Sequence, residues 1–468
     1  MISKTFFKET KELFREGRVR LSMIIVILLL AVAVFISARQ YQNINEQYTV
    51  AQQTERANWE NQEAKNPHSA AHYGTYAFKP KYPLSLLDQG VDKYTGTSIF
   101  LEAHARNEAQ FSAAADQTGL ARFGDLTPDF ILLFIIPLLI ILLGYNSFTK
   151  EREMGTLTLL KSQGISSLKW IGGKWLALFT PVFIITSVLF LISGLVLSNL
   201  KDFGVFNWYS LVVMFLVYLA FYSVFINIVL IISAKAKKSG IALVLSLSVW
   251  ILACLVAPKM ATNVAQAKHP YPSAQEFAEA VKKDKEKGLD GHNPWSEEAQ
   301  ELEREVLAEY GVDSLIQLPF NFDGYIMQKG EEHQAEVYFK HYNYLKTQYG
   351  KQTQVYQTLA VMSPFLPTRF LSMSLANTDY GTHWHFNDAA EKYRIATQKF
   401  LNDHFAENTK YGDWGWKADA SLWKELPPFE YEPPSLSNTL SKNTSNAGLL
   451  GGWLLCSFGL LFLTVKVR

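Results

Sequence analysis

Cysteine is nearly missing from this chain: among 468 residues only Cys254 and Cys456 occur, and both fall inside long apolar runs. The polar stretches have none, so no disulfide framework is open to them and they must fold on their own cores. A phosphate-binding loop is missing too. Gly172-Gly173-Lys174-Trp175 and Gly350-Lys351-Gln352 lack both the upstream glycine spacing and the Ser or Thr of G-x-x-x-x-G-K-[ST]. Neither H-E-x-x-H nor G-x-S-x-G occurs, which leaves a membrane hydrolase without local support. Charge of one sign is lacking as well: 44 Lys and Arg meet 43 Asp and Glu, for a net +1, and no nucleic acid is expected as a partner. The chain reads as a non-enzyme.

Long hydrophobic runs are what it has. Six of them, 21–38, 129–148, 175–197, 207–233, 240–257 and 447–465, suffice to cross a hydrocarbon core of about 30 Å, which takes roughly 20 helical residues. The first follows a twenty-residue charged leader and carries no convincing small-x-small cleavage site, so it reads as an anchor and not a signal peptide. No run has a charged residue in its middle, which argues against an ion-coupled transporter or a proton relay. The expected fold is an all-α polytopic membrane protein with six transmembrane helices.

Basic residues set the expected orientation. The leader holds Lys4, Lys8, Lys11, Arg15, Arg18 and Arg20; residues 149–174 hold Lys150, Arg152, Lys161, Lys169 and Lys174; Lys235, Lys237 and Lys238 follow the fourth run, and Lys466 and Arg468 end the chain. All four groups share one side of a six-span chain. The positive-inside rule makes that side cytoplasmic, with both termini inside. Residues 1–20 place Phe6, Phe7, Thr10, Leu13, Phe14 and Gly17 on one helical face, the pattern of an interfacial helix with Gly17 as the bend into the first span.

Residues 39–128 and 258–446 are then extracytoplasmic. The smaller domain reads as mixed α/β, with a helical extension of the first span to about Lys65 and short strands and turns from His72. The larger reads as α-rich. Helices open at the Ser273…Glu276 capping box and at Ser296, run through GEEHQAEVYFKHYNYLKTQYGKQTQVYQTL, and open again at Asn387-Asp388. The Pro- and Ser-rich stretch 423–445 reads as a linker into the last span.

Between the second and third spans lies KEREMGTLTLLKSQG, residues 150–164. Glu151, Arg152 and Glu153 suit the start of a helix; Met154, Leu157 and Leu160 fall at i, i+3 and i+6, and Gly164 is a natural stop. The pattern predicts a short amphipathic helix along the cytoplasmic face, held at both ends by spans. A partner docked on such a helix moves two spans at once.

Here the sequence resembles a known family. EREMGTL, leading to GGKW before the third span, is similar to the coupling segment of ABC transporter permeases of the second exporter type. PLSLLDQGVDKYTGTSIFLEAHARNEAQF, then FGDLTPDF and the Pro137-containing second span, resemble the branch of that class with two large extracytoplasmic domains. A looser similarity extends to permeases of nitrous-oxide-reductase maturation and of gliding motility. The resemblance implies a permease of the bacterial inner membrane that exports a substrate. It implies that Glu151, Arg152, Glu153, Met154, Gly155, Thr156, Leu157 and Leu160 couple to separate ABC ATPase subunits. ATP and magnesium then belong to those subunits, with no cofactor in this chain. A second permease copy or paralogue and the lipid bilayer complete the expected partners. Two other readings stay open: a mechanotransmitting or scaffold complex that acts on a periplasmic protein with nothing crossing the membrane, and an importer.

Two smaller features stand beside this one. All ten histidines fall outside the spans; His383-x-His385 share a face if they lie on a strand, and His68 with His72 do so on a helix. No cysteine or tight carboxylate cluster completes either set, so no metal is assigned. Within the spans the polar groups are few: Asn146, Thr180, Tyr218, Tyr222 and Asn227. Asn227 is the pathway candidate, set against the ordinary alternative of a helix-to-helix hydrogen bond.

Overall fold

A computed structural model describes residues 2–116, 126–157, 166–199 and 206–466. The chain runs α1 (Ile2–Arg15), α2 (Gly17–Glu60), α3 (Pro67–Tyr73), β1 (Thr75–Phe78), β2 (Ser98–Glu102), β3 (Ala105–Arg106), α4 (Pro128–Glu153), α5 (Ser167–Asn199), α6 (Trp208–Lys235) and α7 (Ser239–Lys268). It continues through α8 (Ala274–Lys285), α9 (Glu297–Tyr310), α10 (Phe322–Leu359), α11 (Phe365–Leu375), α12 (Tyr380–Asn408) and α13 (Thr444–Lys466). Among the described residues six helices, α2, α4, α5, α6, α7 and α13, are long and apolar enough to cross a membrane. The chain is a helical membrane protein with little sheet.

Burial separates the lipid-facing from the inward-facing residues. On α2, Val19, Val26, Leu30 and Ala33 are buried while Leu21, Ile24, Leu28 and Phe35 stand exposed. On α6, Met214, Tyr218, Phe221, Tyr222, Phe225 and Ile226 are all buried, the pattern of an apolar helix at the centre of a bundle. It packs on α4, α5, α7, α11 and α13.

Two spans contain π-helical turns, and each turn precedes a proline. Pro137 and Pro258 have no N–H, and their rings crowd the carbonyl one turn back. A π-helical turn at Ile131–Ile135 and another at Ile251–Val256 accommodate them. Side chains from neighbouring helices supply donors in those turns: Tyr222 Oη donates to Leu132 O (3.0 Å), Trp250 Nε1 to Phe134 O (3.2 Å) and Ser363 Oγ to Ala253 O (2.6 Å). In hydrocarbon an unpaired carbonyl is costly, so these bonds stabilise the π-helical turns where they stand.

The three strands form one antiparallel sheet in the order β1-β2-β3, with Tyr76 opposite Phe100 and Leu101 opposite Arg106. Ala77, Ile99 and Leu101 pack on Phe386 and Ala390 of α12. The turn between β1 and β2 enters the bundle: Leu84, Leu86 and Leu87 join the same apolar core as the spans. Alpha-helix starts follow their caps. Ser273 and Glu276 make the reciprocal capping box, and Ser296 accepts from the Ala299 N–H.

Three expectations need correction. α12 opens at Tyr380 and not at Asn387, because the Asp379 carboxylate accepts the Thr382 N–H at 2.7 Å and caps it seven residues earlier. The stretch 423–445 is not a bare linker. Trp423 is completely buried, its carbonyl accepts from Trp59 Nε1 at 2.9 Å, and Phe429 and Tyr431 pack on Phe386, so aromatic anchors tie it down. Finally, a single helix from Glu151 to Gly164 is broken within its described part. Gly155 takes φ +71°, the left-handed conformation in which a helix stops, and its N–H bonds back to Arg152 O.

Candidate functional site

The predicted coupling segment lies where four helices converge. α1 crosses the start of α5 at the two glycines of GGKW. A Cβ on Gly173 would stand 2.4 Å from Thr5 Cβ, so only glycine allows this approach. The next residue, Lys174, is buried, and its ammonium meets Glu9 Oε1 (2.8 Å), Glu151 Oε1 (3.0 Å) and Ser147 O (2.7 Å). Lys8 of α1 reaches the same Glu151 oxygen at 3.0 Å, and Lys150 reaches Glu16 at 3.2 Å. One carboxylate thus holds two ammonium groups from two different helices. Such charge-assisted bonds are the strong ones, and Lys174 has no solvent to fall back on.

The other two charges of the motif tie down the turn between α6 and α7. Arg152 donates to Ala234 O (2.8 Å) and to Ala236 O, while Glu153 accepts from the Ser239 N–H and hydroxyl, both at 2.7 Å. Thr149 Oγ1 lies 2.9 Å from Ser239 Oγ. Glu151 is buried, Arg152 half-buried and Glu153 exposed, and together they join α1, α4, α5 and the α6–α7 turn. Met154, Gly155 and Thr156 remain exposed, and Leu157 packs partly on the core. Leu160 lies outside the described residues.

At the other end of the bundle a second polar cluster joins the long segments to the spans. Arg369 of α11 donates to Asp88 Oδ1 and Asp129 Oδ2, each at 2.8 Å. Ser372 Oγ donates to Asp88 Oδ2 (2.5 Å) and lies 2.9 Å from Tyr218 Oη on α6. One guanidinium serves two carboxylates. Burial pushes the Asp88 carboxyl up to about 6, opposed by Arg369 and assisted by Asp129.

Residues 274–432 match a family model described as a domain of unknown function, DUF3526. Among curated proteins, none matches the chain. The matched region runs from α8 into the tied-down stretch before α13, and it supplies Arg369 and Ser372.

It also contains the His383 and His385 pair, which the structure separates. Both lie on α12, not on a strand, so a spacing of two points them to different sides. His383 is buried with Nε2 3.3 Å from Asn387 Nδ2, and His385 is exposed with Nδ1 2.9 Å from Tyr431 Oη. Asn227 is completely buried. Its carbonyl accepts from Trp175 Nε1 (2.9 Å) and its amide donates to Ser457 Oγ (3.0 Å), which links α5, α6 and α13. Lys174 and Arg369 escaped the sequence reading. For Lys174 the signal was there: a lysine next to two glycines at the mouth of a span.

Proposed function

We propose that the chain is the membrane permease subunit of an ATP-driven ABC transporter in the bacterial inner membrane, with both termini cytoplasmic and residues 39–128 and 258–446 as extracytoplasmic domains. It exports a substrate, pairs with a second permease copy or paralogue, and hydrolyses no ATP itself. ATP and magnesium are bound by separate ATPase subunits. The observation that carries this reading is the convergence at Glu151: the last turn of α4, which leads into the segment before α5, is braced by α1, by Lys174 of α5 and by the α6–α7 turn. A push on its exposed part, Met154-Gly155-Thr156, is delivered to four spans together. The charged triplet acts as the brace and the exposed triplet as the contact.

The second reading, mechanotransmission without transport, is favoured by one specific observation. Arg369 and Ser372 couple the outer segments to α4 through Asp129 and to α6 through Tyr218. Motion of those spans is therefore passed outward by ion pairs and not only by loose packing.

Co-expression with a candidate ABC ATPase subunit tests both. Met154→Asp with Thr156→Asp should release the ATPase from the purified permease while leaving membrane insertion and melting unchanged. Retention of the ATPase with unaltered turnover would refute the docking assignment. Stimulation of hydrolysis by a periplasmic protein, and by none of a panel of lipids, peptides and small hydrophobic molecules, decides for mechanotransmission over export.

A further inference from the structure

Four histidines distant in sequence meet at one point. His68 and His72 occupy successive turns of α3, whose N-terminus is capped by Asn66 and opened by Pro67. His104 is the second residue of the β2–β3 hairpin turn. His292 comes from the loop that follows α8. One nitrogen from each ring lies within 4.8 Å of one nitrogen from every other. The six ring-centroid separations run from 4.3 Å, for His104 with His292, to 6.3 Å, for His72 with His292.

The nitrogens meet in a way that hydrogen bonds alone serve poorly. His68 Nε2 lies 3.0 Å from His72 Nε2 and 3.2 Å from His292 Nε2. A neutral imidazole carries one N–H, and one N–H on His68 cannot point at both neighbours. His104 Nε2 is buried with no hydrogen-bond partner. A cation at the centre serves all four lone pairs together. A tetrahedral ion with metal–nitrogen bonds of about 2.0–2.1 Å sets its ligands about 3.3 Å apart, close to the 3.0 and 3.2 Å that separate His68 from His72 and His292.

The surroundings of His104 have the form of a ligand's support. Its backbone takes φ +64°, a left-handed conformation uncommon outside glycine that persists only where neighbours enforce it. They do: the His104 N–H donates to Glu331 Oε1 at 2.7 Å, and Lys285 Nζ donates to its carbonyl at 3.0 Å. The same Glu331 oxygen stands 2.6 Å from His104 Nδ1, close but angled away from the N–H axis. Arg394 holds the other Glu331 oxygen at 2.9 Å and pairs twice with Glu391. A carboxylate behind Nδ1 leaves Nε2 as the ligating nitrogen, the arrangement that orients metal-bound histidines.

We propose that His68, His72, His104 and His292 bind one late first-row transition-metal dication, with zinc as the representative ion. Four neutral imidazoles with no carboxylate in the ring of ligands suit zinc, copper or nickel and discriminate against calcium and magnesium, which take oxygen. Three ligands come from the 39–128 segment and the fourth from the DUF3526-matching region. The ion therefore pins these two parts of the chain together. Ions reach it from a cleft of about 780 Å³ lined by His104, His292, Lys285 and Tyr338. This proposal is independent of the transporter assignment.

The test uses tag-free full-length protein in detergent, stripped with a chelator and titrated with zinc, copper(II) or nickel by calorimetry, with metal content read by mass spectrometry. We expect one ion per chain and a rise in melting midpoint on its addition. His68→Ala with His292→Ala should abolish both effects, and Glu331→Gln should weaken binding by about 10–100-fold. His385→Ala should bind as the wild type does. The proposal fails if the wild type binds none of the three ions, or if the double variant, folded by circular dichroism, binds undiminished. Should the double variant not fold, His72→Ala at an exposed position decides: unaltered affinity and stoichiometry overturn the site.

Discussion

Lys174 and Glu151 form an ion pair at the start of α5, with Nζ 3.0 Å from Oε1 and the lysine side chain only 1% exposed. A buried ammonium that loses its partner is costly, whereas replacing both charges by apolar groups can be neutral. Glu151→Ala should therefore destabilise the protein by about 3 kcal/mol, with Glu9 left as the remaining anion. Glu151→Leu with Lys174→Met should recover most of that loss. Melting in detergent measures it, and equal melting of the single and double variants would reject the pairing as a stabilising element.

The crossing of α1 over α5 makes a sterically sharp prediction. Gly173→Ala places a methyl 2.4 Å from Thr5 Cβ and 3.1 Å from Ile2 O, so α1 must shift. Overpacking of this kind costs about 1–3 kcal/mol. Thr5→Gly removes the obstructing side chain and should restore part of the stability in the Gly173→Ala background. Additive effects of the two substitutions would show that the helices do not meet there.

How far the sequence spoke depended on whether a signal was local. The six long apolar helices and the caps at Ser273 and Ser296 are written in hydropathy and short-range chemistry and appear in the structure, whereas the break expected at Gly17 falls at Glu16, with Gly17 already the first residue of α2. Even the i, i+4 spacing of His68 and His72 was visible. Their meeting with His104 and His292 was not, since it requires the hairpin of the first segment to dock on the loop after α8. Arg369 is likewise an ordinary residue in sequence until Asp88 and Asp129 close on it. The pairing of His383 with His385 failed because their secondary structure was misread: the Asp379 cap moved a helix start past them.

Asp88 gives the fold a pH dependence whose sign follows from its environment. Its folded value, about 6, lies above the ordinary aspartate value of 3.8 because burial disfavours the carboxylate. A raised acid contributes stability that is complete below the unfolded value and is lost as pH rises through the folded one. Between about pH 4 and pH 7 the wild type should thus lose stability relative to Asp88→Asn, which retains a hydrogen-bonding side chain and cannot ionise. Melting midpoints across this range measure the difference. Parallel curves for the two proteins would remove Asp88 as the titrating group.

Asn227 separates packing from passage. Both ends of its amide are occupied, by Trp175 Nε1 at 2.9 Å and by Ser457 Oγ at 3.0 Å, so its chemistry is spent on holding α5 and α13 to α6. Helix-to-helix hydrogen bonds in membranes average about 0.6 kcal/mol each, and Asn227→Leu removes two. The expected loss is about 1 kcal/mol in melting experiments, with the ATP turnover of the proposed transporter complex unchanged once the temperature is corrected for stability. If Asn227→Leu abolishes stimulation at full stability, the residue belongs to the moving pathway and the packing assignment falls. Trp175→Phe distinguishes the two again: it removes one of the same hydrogen bonds while leaving the asparagine in place, so a packing role predicts about half the loss and the same preserved turnover.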